Sequence, residues 1–166
     1  MKISLQRDFY YEITRMSEVI NNPVLLIMDC GRVAFLTHLR NLWEFFYGNI
    51  KKNNNQRIAH AGNFRQIKKW KKRKASEDMG DKNIGKWYDK LCVYLSHLSY
   101  RRVEEEHNFP ISMDLYQHFR NLIVDFLEDL PKKYKTDELE GLKEGLKNST
   151  INDYRSITFN VWEKKR

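Results

Sequence analysis

Leu5, Phe9, Ile13, Met16 and Ile20 recur at three- and four-residue steps, one apolar stripe on a first helix predicted over 5–20. Asn21-Asn22-Pro23 breaks it, and Pro23 suits the first turn of a second helix running to Tyr47 and stopping at Gly48. That helix is apolar around much of its circumference (Leu25, Leu26, Met28, Phe35, Leu36, Leu39, Leu42, Phe45, Phe46), which predicts the central and most buried element. Gly31 lowers its local stability and permits close packing. Residues 49–82 form a polar excursion with loop signals at Asn53-Asn54-Asn55, Gly62-Asn63 and Gly80-Asp81, and a short helix is predicted over 64–73.

Asp81 or Asn83 then caps a third helix with Ile84, Trp87, Leu91, Leu95 and Leu98 on its apolar face. This amphipathic stretch continues to His107, before Asn108-Phe109-Pro110 forces a turn. Ser112 caps a fourth helix ending near Leu130, with Leu115, Phe119, Leu122, Ile123, Phe126 and Leu130 facing the core. Thr136 opens a short fifth helix to about Lys147, with Glu140 placed to complete a capping box. The tail, 151–166, alternates in part and reads as one extended segment. The expectation is a single all-α domain over 1–166, an antiparallel bundle of four to five helices with short connections. A basic insertion (49–82) interrupts it and a short helix with a tail (132–166) closes it.

Charge changes this picture at one place. The chain is +8 overall, yet Lys51 to Lys74 holds ten Lys/Arg and no Asp/Glu, so the other 142 residues carry 20 basic against 22 acidic groups, a net of −2. A basic segment on a nearly neutral body points to an anionic partner met at one location. Cys30 and Cys92 both fall within apolar helical patterns, which predicts reduced, buried thiols and no disulfide framework. The N-terminus lacks the apolar core of a signal peptide, and the longest apolar run, Val24 to Met28, is too short to span a bilayer, so a cytoplasmic location is expected.

Two helical stretches carry a resemblance. His38-Leu39-Arg40-Asn41-Leu42-Trp43-Glu44-Phe45-Phe46 and the later Leu95-Ser96-His97-Leu98-Ser99-Tyr100-Arg101-Arg102 are similar to the HxRNLxxF and AHLTYxR helices of a group of bacterial proteins, and together they resemble the HEPN superfamily of helical bundles over roughly 23–130. The resemblance implies a metal-independent ribonuclease in which an R-x4-6-H motif from each of two copies forms one cleft. Arg102 to His107 fits that spacing. In the implied chemistry Arg102 holds the scissile phosphate, His107 moves a proton at a ribose oxygen, and the 2′-hydroxyl is the nucleophile, so neither metal nor cofactor is required. The chain departs from the pattern at Val103, where active members carry a polar residue, and Glu104, Glu105 and Glu106 fill the gap with charge that repels phosphate. Arg32 with His38 and Arg101 with His107 match the same loose spacing.

Other residues admit two readings each. His97 and Tyr100, one turn apart, form either a proton-transfer pair facing Arg40 or a satisfied internal hydrogen bond. Arg40 takes either a phosphate or a carboxylate in a network with Asp29, Arg32 and Glu44. Arg65, Lys68, Lys69, Trp70, Lys71, Lys72 and Arg73 combine charge with an aromatic ring, which suits phosphate attraction and base stacking; the plainer reading tucks Trp70 onto the bundle. The His and Cys residues show no metal-ligand spacing, and there is no Gly-rich phosphate loop or G-x-S-x-G element. His118-Phe119-Arg120-Asn121-Leu122 echoes residues 38–42, too short a match to establish duplication. Two functions follow as expectations: an RNA-directed effector in a toxin or phage-defence system acting as a homodimer, with an antitoxin or other protein partner; or a non-catalytic helical module for oligomerisation or regulation. Membrane-surface or nucleotide binding through the basic stretch is a third.

Overall fold

The computed structural model describes residues 8–22, 24–25, 28–48, 60–63, 70, 73–96 and 113–148. Among the described residues there are six α-helices and no strand. They are α1 (Tyr10–Ile20), α2 (Asp29–Tyr47), α3 (Ala75–Asp78), α4 (Ile84–Ser96), α5 (Met113–Asp129) and α6 (Asp137–Asn148), with 3₁₀ turns at Ala61–Asn63 and Lys132–Tyr134. The protein is an all-α bundle, as the periodicity predicts. None of its described helices is long and apolar enough to cross a membrane.

The apolar stripe of α1 buries Ile13, Met16, Val19 and Ile20 against α2. The two helices run antiparallel, because Phe9 meets Phe45 while Glu12, further along the chain, meets His38, two turns earlier in α2. α2 buries Phe35, Leu36, Leu39, Leu42, Trp43, Phe45 and Phe46, which makes it the central element. It begins later than its apolar pattern suggests. Met28 is extended (φ −87°, ψ 138°), and the Arg32 amide donates to its carbonyl at 3.0 Å to start the helix. Gly31 accommodates the close approach of the entering segment. A methyl group there would overlap the Leu25 carbonyl, so the segment entering α2 crosses its first turn at the one residue without a side chain. With the start moved to Asp29, Cys30 lies exposed on the first turn, contrary to the buried thiol expected; Cys92 is half-buried and free.

The insertion is tied to the bundle in its described parts. His60 and Ala61 are buried, and Trp70 is 0% exposed. α3 is a turn of helix that the sequence pattern did not indicate. Asp81 accepts the Asn83 amide at 2.8 Å, and Asn83 in turn offers its carbonyl to Lys86 and Trp87, so both candidate caps take part in starting α4. α5 buries Phe119, Leu122, Ile123 and Phe126 as predicted, with Tyr116 and Leu127 buried beside them and Leu115 only partly covered. The Thr136 hydroxyl accepts the Leu139 amide at 3.4 Å and caps α6. Glu140 does not close a capping box: it stands one residue too far along and pairs with Lys143 and Lys135 instead.

At the centre, Phe9, Phe45, Phe46, Trp70 and Phe126 meet with ring centroids 4.6 to 6.2 Å apart, mostly edge to face. Such pairs add about 0.5–1.5 kcal/mol each beyond their burial. The predicted helix over 64–73, apart from Trp70 and Arg73, and the continuation of the third helix beyond Ser96 lie outside the described residues, as does the tail from 149.

Candidate functional site

The sequence-predicted residues separate into three groups. Arg102, His107 and His97 lie outside the described residues, as do Arg65, Lys68, Lys69, Lys71 and Lys72. Arg40 is half-buried on α2, one turn before Glu44, with no hydrogen-bond or ion-pair partner among the described residues. Trp70 and Arg73 are committed to the fold. The Trp70 indole donates to Asp129 at 3.0 Å and packs on Phe46 and Phe126, so it is closed to a nucleic-acid base in this structure. Arg73 stacks over that indole at 4.7 Å and pairs with Asp78 at 2.6 Å. An aromatic ring among cations reads as a stacking platform in sequence; in the structure this ring is enclosed.

The described polar chemistry converges where α2, α3 and α5 meet. The Tyr47 hydroxyl at the last turn of α2 lies 3.0 Å from Asp78 Oδ2 and 2.8 Å from His118 Nε2. One hydroxyl has one proton. Asp78 Oδ2 accepts from the Arg73 guanidinium and from the Tyr47 hydroxyl, so the Tyr47 proton goes to Asp78 and His118 Nε2–H donates to the Tyr47 oxygen. That assignment puts a proton on His118 Nε2; in the neutral imidazole Nδ1 is then an acceptor, for which no partner occurs among the described residues. The electrostatics agree. Burial pushes the His118 imidazole below its ordinary range, with Asp78 raising it and Arg73 lowering it further. Burial, then the Asp78 charge, pushes the Tyr47 phenol well up, so it stays protonated.

His118 also lines a cleft of about 460 Å³ with Asp78, Met79, Asp81, Ile84, Trp87, Asp114 and Leu115. Its polar wall is made of acceptors and its remaining wall is apolar. One turn away, Tyr88 donates a short hydrogen bond to Glu44 while its ring stacks on Trp43 at 4.7 Å and 9°. Burial first, then hydrogen bonding with Cys92 and Glu44, holds that phenol far above its usual range. These contacts fix α4 on α2 and position Trp87, 6.0 Å from Trp43, in the cleft wall.

Elsewhere, His38 Nδ1 pairs with Glu12 at 2.7 Å, and the Arg120 guanidinium donates to the carbonyls of Leu146 and Lys147 at the end of α6. The HxRNL echo therefore has a structural content. In both copies the His reaches a polar group on another element, while the Leu39/Phe119 and Leu42/Leu122 positions are core. Sequence reasoning missed Tyr47, Asp78 and the role of His118; the echo was the one signal that touched them. No three His, Cys, Asp or Glu side chains among the described residues could hold a metal ion. Protein-family models, curated proteins and solved structures give no match to this chain.

Proposed function

We propose that this protein is an RNA-directed effector of HEPN-like type, in which the basic segment draws a phosphate backbone onto a helical bundle and Arg102 and His107 cleave it without a metal. The observation that carries the reading is the segregation of charge: ten Lys/Arg and no Asp/Glu between Lys51 and Lys74, on a remainder of net −2. Burial of His60, Ala61 and Trp70 supports it, because it fastens that segment to the bundle at two points. The contact set is then Arg65, Lys68, Lys69, Lys71 and Lys72, with Trp70 and Arg73 acting as the mount. In the cleavage step the 2′-oxygen bonds to phosphorus, the bond to the 5′-oxygen breaks, and His107 carries the proton between them. Arg102 neutralises the phosphate, Arg40 and His97 assist, and a second copy supplies the paired motif.

The test combines binding and cleavage. Reversing Lys68, Lys69, Lys71 and Lys72 to Glu should abolish RNA binding, whose salt dependence reports about 0.7 of a counterion per phosphate contact on single strands. Cleavage of mixed tRNA and mRNA that survives EDTA and is lost in His107→Ala supports the Arg102/His107 pair. Loss in His97→Ala alone moves the chemistry to Arg40 and His97. A second reading, a non-catalytic interaction module, is favoured by the pairing of Arg73 with Asp78 and by the glutamates between Arg102 and His107. Absence of cleavage by folded wild type, with partner capture that survives the charge reversal, selects it.

A further inference from the structure

α1 and α6 line a groove of about 650 Å³, with Tyr10, Thr14 and Asn21 on one wall and Gly141, Leu142 and Gly145 on the other. We propose that this groove seats the chain's own tail, with Ile157, Phe159 and Val161 laid along α6. Neither the basic segment nor Arg102 and His107 takes part in this contact, so it stands apart from the RNA reading.

The occupant follows from where α6 ends and from the residues after it. α6 stops at Asn148, two residues beyond Leu146 of the groove wall, so the tail leaves from the rim of the groove. The tail itself, from 149, lies outside the described residues. The α6 wall runs from Glu138 to Leu146, about 12 Å of helix. Residues 149–156 link Asn148 to Ile157, and a flexible linker of that length spans roughly 15 Å, enough to turn back along the wall. Ile157 to Val161 in extended form then covers about 13 Å, the length of the wall. The pattern demands the extended form. At two-residue spacing Ile157, Phe159 and Val161 share one face of such a segment, whereas on a helix Phe159 would point away from the other two.

The groove and the tail also match in chemistry. Nothing lies within 4 Å of where a Cβ would stand on Gly141 or Gly145, so large side chains fit beside Leu142, and a methyl group there would leave most of the groove open. Tyr10 is 37% exposed and offers an aromatic wall for Phe159. Running back along α6, the tail carries Lys164, Lys165 and Arg166 toward the first turn of α6, which holds Asp137, Glu138 and Glu140. Glu140 pairs with Lys143 and Lys135, while Asp137 and Glu138 are exposed, so opposite charges meet at that end. A second copy carries the same tail, but a short linker holds the chain's own at an effective concentration of roughly millimolar, which prevails in dilute protein.

Hydrogen–deuterium exchange of the full chain at about 1 µM, far below that effective concentration, tests this. Amides of 157–161 should exchange at least about tenfold more slowly than those of a free peptide of residues 151–166. Gly145→Leu, a better helix former that fills the groove, should return them to the free rate while α6 stays protected. Replacing Ile157, Phe159 and Val161 together by Asp should do the same and leave exchange in α1, α2 and α5 unchanged. A cross-link fixes the location independently of any folding effect of these changes. With Cys30 and Cys92 replaced by Ser, Gly141→Cys and Phe159→Cys should join within one chain on oxidation with diamide. Free-rate exchange of 157–161 in the wild type, slow exchange that survives Gly145→Leu, or failure of the cross-link would overturn the proposal. So would a cross-link found only between chains, which would assign the groove to the tail of a second copy.

Discussion

The proton of one hydroxyl links three side chains. Tyr47 gives its proton to Asp78 and thereby makes His118 a donor through Nε2, a hydrogen bond that survives protonation at Nδ1, so the pH dependence of this corner comes from burial of the imidazole. Its pH dependence has a definite sign. Burial lowers the folded-state pKa of both His118 and His60 below the ordinary 6.5. Above that value both states are neutral and the stabilisation is complete; below it the unfolded chain takes up protons that the folded chain refuses, and stability falls until the folded pKa is passed. Glu128 and Glu140 are held below the usual carboxylate range by their lysines, so their loss comes at lower pH. Urea midpoints should therefore drop between pH 7 and pH 5, and His118→Asn should reduce that drop. A midpoint flat across this window would remove the assignment. Little of this was legible in the sequence. His118 lies 71 residues from Tyr47, and Asp78 lies 31 from it. A histidine on a helix face does not announce which distant element will face it.

At the scale of elements, glycines separate local propensity from packing. Gly141 and Gly145 in α6 have open space where a Cβ would stand, so changing either to Ala should add about 0.5–1 kcal/mol of stability. Gly31 lies in a helix too, but Ala there meets the Leu25 carbonyl. Overpacking costs about 1–3 kcal/mol against a propensity gain of about 1, so the clash wins and Gly31→Ala should melt lower. Thermal melts of the three variants check both signs at once. The same contrast explains what the sequence showed of the fold. The stripes of α1, α2 and α5 were readable because burial repeats with the helical period. The start of α2 was not, because Val24 to Met28 is apolar enough to continue the helix, whereas Met28 is extended and the helix starts at Asp29. Glu140 misled for a simpler reason: a capping box counts residues from the cap, and Leu139 occupies the third place.

For the molecule as a whole, Trp70 joins the most charged segment to the most apolar centre. It touches Phe46 of α2, Phe126 of α5 and the Asp129 carboxylate, and is fully enclosed. Trp70→Ala should cost about 3–5 kcal/mol, and Trp70→Phe less, read from urea unfolding of the full chain. If RNA is bound through the neighbouring lysines, Trp70→Phe should keep its affinity where it remains folded; a selective loss would return the ring to the interface. The enclosure also bears on time. Glu12 and His38 are 26 residues apart, whereas Trp70 and Asp129 are 59 apart, so the α1–α2 hairpin closes a shorter loop than the one that seats the indole. Contacts made late in folding slow escape more than they speed arrival. On that ordering Trp70 closes after the α1–α2 hairpin, and Trp70→Phe should speed unfolding more than it slows refolding in urea-jump kinetics, shortening the lifetime of the assembled bundle.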